Sequence, residues 1–275
     1  MGRIIAVGNL KGGTGKSTIA VNLACRMAEK MRSVVLIDAD PQGTAAAWLR
    51  AGPPRGLSLL SLPRARATGD AVWTDQIRGM RGCYDRVVVD LPPQAGECFE
   101  AALGIADLLI VPLTLSEVDL HATAQAIAVL HRMRAVRNGR PSCLLVPSKV
   151  DRRTAVGRRA SSSLSKLGWE VGPALGQRTA HSEAFRAAKW IGAHAPGSTA
   201  EMEVRALVER VEAQLERCPE PADDHRPEQV PADAALPAPA ALRPPAAPVR
   251  IGALCHSIMA SVLAKLKRAE QQAFY

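Results

Sequence analysis

The sequence predicts an α/β fold, a doubly wound and mainly parallel sheet covered by helices on both faces. Three observations predict it. Short apolar runs alternate with longer stretches of helical pattern. The runs are near-continuous and rich in β-branched residues, as strands buried on both faces are. The first run leads straight into a glycine-rich loop and then a helical pattern. Strand, helix and strand in this rhythm form right-handed βαβ units.

Strands are expected at residues 3–8 (RIIAVG), 33–38 (SVVLID), 57–62 (LSLLSL), 86–91 (RVVVDL), 108–113 (LLIVPL) and 143–148 (CLLVPS). Helices are expected at 16–31, over the Ala-rich stretch 43–50, at 118–137, at about 155–167 and at about 199–217. In the last of these Met202, Leu207, Val208, Val211 and Leu215 recur at helical spacing. The composition then changes. Between 219 and 248 Pro and Ala dominate, and Pro fixes φ and removes a donor, so an extended, disordered linker is expected. Further on, Ile251, Leu254, Ile258, Val262 and Leu266 form one apolar stripe, the pattern of an amphipathic helix. The expected organisation is a folded domain at 1–217, a linker at 218–250 and an amphipathic helix at 251–275.

The 275 residues include 47% hydrophobic residues, which excludes wholesale disorder, and only 3% aromatics, which argues against a base-stacking platform for single strands. The net charge of +9 suits a polyanionic partner, and serves solubility equally well. None of the six cysteines forms a C-x-x-C pair or lies near a His at ligand spacing, so reduced thiols are expected. The first strand begins almost at once and no apolar run approaches 18 residues, so neither a signal peptide nor a membrane span is expected, and the expected compartment is the cytoplasm.

The segment from Gly8 to Thr18 (GNLKGGTGKST) fits G-x-x-x-x-G-K-[ST] between a strand and a helix. Glycines let backbone N–H groups turn inward around phosphate oxygens, and the following helix adds its positive end. Lys16 supplies a point charge to the β- and γ-phosphates of ATP, and the Ser17 hydroxyl ligates Mg²⁺. Gly12, Gly13, Thr14, Gly15, Lys16, Ser17 and Thr18 therefore form the expected nucleotide cradle. The run from Lys11 to Thr18, with its extra lysine, resembles the deviant Walker A box of the ParA/MinD superfamily of ATPases. That resemblance implies a P-loop fold in which Lys11 reaches across a dimer interface to the nucleotide of a second subunit.

The second apolar run ends in Asp38-Ala-Asp40, and the fourth ends in Asp90. Carboxylates at strand C-termini face the crevice of the phosphate loop. By the resemblance, Asp40 orients or deprotonates the attacking water, and Asp38 helps hold Ser17 and the Mg²⁺ water shell. Asp38 could equally cap the helix that begins near Thr44. Asp90 fits the Walker B pattern and would bind Mg²⁺ through water; Leu91 follows it where the family more often has Thr or Ser. Residues 147–151 sit where the family contacts the nucleobase. Gly176-Gln-Arg178 with Ser182-Glu-Ala184 resembles the late loop of partition ATPases. The relatives that hold iron–sulfur clusters are excluded, because Cys98 and Cys143 lie in unsuitable contexts.

The resemblance, which spans roughly residues 3–215, is closest to the small partition ATPases without an N-terminal DNA-binding extension. It implies a homodimer in the ATP state, non-specific binding to DNA of the nucleoid, and release when a ParB-type or small centromere-binding adaptor stimulates hydrolysis. Arg152, Arg153, Arg158, Arg159, Lys166 and Arg178 are the expected DNA contacts, with Arg186 and Lys189 after them. A solvated Arg-rich helix face is the plain alternative for them. Two other functions stay open: a MinD-like positioning ATPase that meets a membrane through 251–275, and an ATPase that positions a cargo other than DNA.

Overall fold

The computed structural model describes residues 1–30, 33–63, 69–94, 96–158, 164–165 and 168–218. Seven strands form one sheet in the order β3-β2-β4-β1-β5-β6-β7. They are β1 (Arg3–Val7), β2 (Val34–Asp38), β3 (Leu57–Ser61), β4 (Arg86–Asp90), β5 (Leu108–Leu113), β6 (Ser142–Pro147) and β7 (Glu170–Val171). Every pair is parallel.

The continuous apolar runs resolve into two faces of period two. Ile5, Val7, Leu36, Val88, Ile110 and Leu144 point to one core. Ile4, Ala6, Val35, Ile37, Val89 and Leu109 point to the other. Each such side chain, fully buried, contributes about 1.5–3 kcal/mol, so both faces require cover. The first face is covered by α1 (Lys16–Lys30), α2 (Thr44–Trp48), α7 (Thr179–Arg186), α8 (Ile191–His194) and α9 (Thr199–Arg217). The second carries α3 (Gly69–Gly79), α4 (Glu97–Ile105) and α5 (Glu117–Val136). A short α6 (Ala155–Arg158) follows β6.

In α9 the Ser198 hydroxyl accepts the N–H of Glu201, and Val204, Leu207, Val208, Val211 and Leu215 are buried. Met202, expected on that stripe, is instead 51% exposed, because the buried arc runs through Ala200, Glu203 and Val204 on either side of it. The segment Ser182–Ala184, read as part of a loop, lies within α7. Of the helix expected at 155–167, the described part is α6 with Leu164 and Ser165; Arg159 and Lys166 lie outside the described residues, as do the linker beyond Cys218 and the helix at 251–275.

Strand order reverses about β1, with β4 on one side and β5 on the other. The loops after β1, β2 and β4 therefore open at one end of the sheet. Register brings Val7 and Asp38 each beside Asp90. At the opposite end Asp107 accepts the N–H of Ile4 at 2.8 Å and pairs with Arg81 at 3.0 Å, tying the starts of the central strands together.

Candidate nucleotide site

Gly8 ends β1 by donating its N–H to Ile110 O at 3.0 Å. A Cβ there would lie 2.9 Å from both Leu91 Cδ1 and Phe99 Cε2, so the chain turns where only glycine fits. The buried Asn9 carboxamide donates to Pro112 O at 2.7 Å and to Thr123 Oγ1 at 3.1 Å, fixing the loop to β5 and α5. Gly13 and Gly15 hold φ of +77° and +92°. A Cβ on Gly15 would stand 2.8 Å from Ser148 Oγ. The turn opens into α1, whose first N–H groups point into it.

Lys16, 7% exposed, folds under this loop and donates from Nζ to Lys11 O at 2.8 Å. Burial lowers its pKa, and the charges of Asp90 and Asp40 oppose that. Asp90 is fully buried, and neither carboxylate oxygen has a partner that meets hydrogen-bond geometry. Burial pushes its carboxyl up to about 7; the Ser17 hydroxyl and Lys16 pull it down, while Asp38 and Asp40 push it further up. Asp40, 9% exposed, accepts the N–H of Gln42 at 2.9 Å and stands at the rim of the crevice.

Asp38 does something more local. One of its oxygens accepts the N–H of Asp40 at 3.2 Å, and the other accepts the N–H of Ala46 at 2.8 Å. Burial raises its pKa, and those backbone donors oppose the rise. Of the two roles left open for Asp38, this geometry displays the hold on the start of α2.

Asp90 and Asp40 thus act on one buried ammonium, Asp38 lies close enough to repel Asp90, and neither oxygen of Asp90 accepts a hydrogen bond. That is an electrostatic deficit which a hard divalent cation fills, and Ser17 and Asp90 are the oxygen donors such an ion takes. The residues present fit Mg²⁺ carried in with a nucleotide. A cavity of about 260 Å³ lies beside Gly15, lined by Ser116, Ser148, Val150, Asp151, Thr154 and Gly157. Of the stretch expected at the base, residues 147–151, all but Pro147 line it.

Among the described residues, the expected DNA contacts do not form one free patch. Arg153 chelates Asp151 at 2.8 Å and holds that carboxyl down at about 2. Arg178 is engaged by the buried Glu203 at 2.7 Å. Arg158 donates to Arg153 O at 2.7 Å. Arg152 is 62% exposed, 4.0 Å from Glu203. Sequence reasoning missed Asn9, which falls on a wildcard of the loop pattern; it placed Ser148 within the stretch expected at the base, but not over Gly15, a position that depends on the pairing of β5 with β6. No helix among the described residues is long and apolar enough to cross a membrane, and no group of three or more His, Cys, Asp or Glu among them could hold a metal ion by itself.

A profile of the CobQ/CobB/MinD/ParA nucleotide binding domain matches residues 5–188. The chain belongs to this family. The chromosome-partitioning ATPase Soj of Thermus thermophilus is 31% identical over 244 residues, covering 78% of this chain and 97% of that protein. Maintenance of carboxysome distribution protein A of Gloeobacter kilaueensis is 41% identical over 131 residues, 47% of this chain and 56% of that protein. Among solved structures, MinD of Pyrococcus horikoshii with Mg-ADP superposes with a TM-score of 0.66 at 17% identity, over 78% of this chain and 97% of that one. A McdA–ATP complex from Cyanothece also gives 0.66, at 15% identity, over 77% and 96%. Likenesses of that identity carry the fold, and the fold of this CobQ/CobB/MinD/ParA domain is the doubly wound parallel sheet expected for it.

Proposed function

We propose that this ParA/MinD-family chain is a Mg²⁺-dependent ATPase that dimerises around ATP, holds DNA without sequence preference in that state, and lets go after hydrolysis, thereby moving a DNA locus. The observation that carries the ATPase reading is the partnerless Asp90 carboxylate beside Lys16 and Ser17, under a loop whose glycines leave room for phosphate. Mg²⁺, when bound, would be held by Ser17 and Asp90 and would offset the charge that develops on the phosphate oxygens. The loop N–H groups and Lys16 bind and orient the phosphates. Ser17 and Asp90 hold the ion, with Asp38 keeping α2 and Asp40 in register around it. Asp40 orients the attacking water and receives its proton. Lys11 extends to the nucleotide of a second subunit, so that ATP joins two copies face to face. The cavity at Ser148 takes the base.

The DNA-partition reading is supported by the Soj match, which runs nearly the full length of that relative, and by the net charge of +9. The carboxysome-distribution relative supports a second reading, in which the same DNA-bound cycle carries a cargo other than DNA. Under either reading the protein works in the cytoplasm on the nucleoid, with a ParB-type or similar small adaptor that stimulates hydrolysis.

Three variants test the site. Lys16→Ala abolishes nucleotide binding in calorimetry. Asp40→Ala binds ATP and stays dimeric without turnover; normal turnover would remove its assigned role. Lys11→Ala binds ATP yet remains monomeric by light scattering. Co-sedimentation with DNA and with anionic liposomes, in ATP and in ADP, then separates the surfaces: ATP-dependent pelleting with DNA is expected, and pelleting with liposomes alone would move the protein to the membrane-positioning branch.

A further inference from the structure

The turn between α7 and α8 is tied to the nucleotide site from two sides. Trp48, the last residue of α2 and 4% exposed, donates its indole N–H to Lys189 O at 2.9 Å and meets the Phe185 ring edge-on at 5.4 Å. Arg50 lies over that ring and donates to Phe185 O at 3.0 Å and Arg186 O at 2.5 Å. From the other side the fully buried Asn22 of α1 donates to Thr18 O at 2.7 Å and accepts the N–H of Ile191 at 2.8 Å. Both ties begin where nucleotide would act: α1 opens at Lys16, and α2 opens where Asp38 holds Ala46.

The turn is itself in an unfavourable conformation. Ala188 has φ of +52°, and Lys189 N–H closes back onto Ala184 O at 3.0 Å, a helix ending that favours glycine at that place. Such a conformation persists only where the surroundings fix it, and here Trp48, Arg50 and Asn22 do so. Arg50, Arg186 and Lys189 are all exposed. Backbone carbonyls solvate Arg50 without neutralising it, and no described carboxylate pairs with any of the three, in contrast to Arg153 and Arg178.

We propose that this turn is the nucleotide-responsive part of a polyanion-binding face: Arg50, Arg186 and Lys189 contact the phosphodiester backbone of DNA, and Trp48 and Asn22 are positioning residues that make the turn follow the state of α1 and α2. The proposal rests on the DNA-binding reading and deepens it. Phosphate contacts need placed charge and no base reading, which Arg186 and Lys189 of the turn supply together with Arg50 docked on it from the end of α2. A change of nucleotide that shifts α1 against α2 alters both ties at once and so alters whether the three charges lie on one surface.

The test uses the full chain and a random-sequence duplex, with binding followed by fluorescence anisotropy across a salt series in ATP and in ADP. A fluorescent ATP analogue reports nucleotide affinity in parallel. Arg186→Ala with Lys189→Ala, both at exposed positions, lowers affinity in ATP at least tenfold and reduces the slope of log K against log salt by about 2, as the loss of two phosphate contacts requires. Trp48→Phe keeps a ring against Phe185 and removes only the N–H donor. It brings the ATP-to-ADP ratio of DNA affinities toward 1 while nucleotide affinity is kept, a readout that simple destabilisation does not move. If the wild type binds DNA in ATP and the double variant matches it in affinity and slope, the face is overturned and the DNA reading stands. An unchanged ratio in Trp48→Phe overturns the positioning role. A wild type that binds no DNA in either nucleotide overturns both readings, and loss of binding to phosphatidylglycerol vesicles in its place assigns the face to lipid.

Discussion

Burying a carboxylate whose oxygens accept no hydrogen bond destabilises a fold, and Asp90 is in that position, with the charge of Lys16 offsetting part of the cost and Asp38 and Asp40 adding to it. Asp90→Asn is therefore expected to raise the stability of the free protein by about 1–3 kcal/mol while weakening Mg²⁺-dependent nucleotide binding. Urea unfolding in EDTA without nucleotide reads the first effect and calorimetry in Mg²⁺ the second. A variant no more stable than the parent would mean that Asp90 is already satisfied in the free protein. Gly15 argues in the other direction. Its φ of +92° and the 2.8 Å approach of Ser148 Oγ to a Cβ leave no room for a methyl group. Gly15→Ala must move either the loop, which is the expected cradle, or Ser148, which lines the adjoining cavity. Nucleotide affinity is expected to fall at least a hundredfold; retention of wild-type affinity would show that the loop tolerates the shift. The local character of phosphate chemistry is why this part of the site was legible: Gly12 to Thr18 carry it within seven consecutive residues, and the backbone turn follows from their identity. Asn22 acts only through a folded neighbour, so no spacing in the sequence announces it, and the approach of Ser148 to Gly15 depends likewise on strand pairing.

Among the elements, the turn after α7 offers the sharpest stability prediction. Ala188 occupies a left-handed conformation that costs an L-residue with a Cβ about 1 kcal/mol relative to glycine. Ala188→Gly is expected to raise the unfolding free energy by an amount of that order, measured by urea denaturation at constant m-value; no gain would mean that glycine's extra freedom in the unfolded chain cancels the relief. The turn was invisible in the sequence, because α7 buries only Ala184 fully and is held by Trp48 and Arg50 from α2. β7 escaped for a related reason. It has two residues, paired to Leu144 and Leu145, and Glu170 is fixed there by ion pairs to Arg210 and Arg217 of α9. Of the six longer strands, the five inner ones were legible because burial on both faces demands unbroken apolar runs, and the edge strand β3, buried only at Leu57, because it keeps an apolar run of its own; ends shift by a residue where a loop competes. Ser33, expected in β2, instead binds the Asp85 carboxylate through its N–H at 3.1 Å and its hydroxyl at 3.2 Å, and the strand begins at Val34.

At the scale of the whole chain, charge is distributed unevenly between residues 1–218 and residues 219–275. Residues 219–275 hold six acidic and six basic residues, so the entire net charge of +9 resides in residues 1–218. All seven strands and both apolar cores lie there too. The last described ties are Arg3 to Cys218 O at 3.2 Å and Cys218 Sγ to Ser142 Oγ at 3.2 Å. Truncation after Cys218 therefore takes none of the described residues of either core and no net charge from the molecule. The shortened chain is expected to unfold with an unchanged m-value and a melting temperature within about 2 °C of the full chain, since a loss near 1 kcal/mol would already shift a domain of this size by ~2–4 °C. Its affinity for DNA in ATP and the salt slope of that affinity are expected to match the full chain, because counterion release counts only the phosphates that the folded domain neutralises. A fall in m-value would show that 219–275 buries surface against the domain. A fall in salt slope with the m-value intact would place cations of 219–275 on the DNA and move part of the polyanion face out of the folded domain.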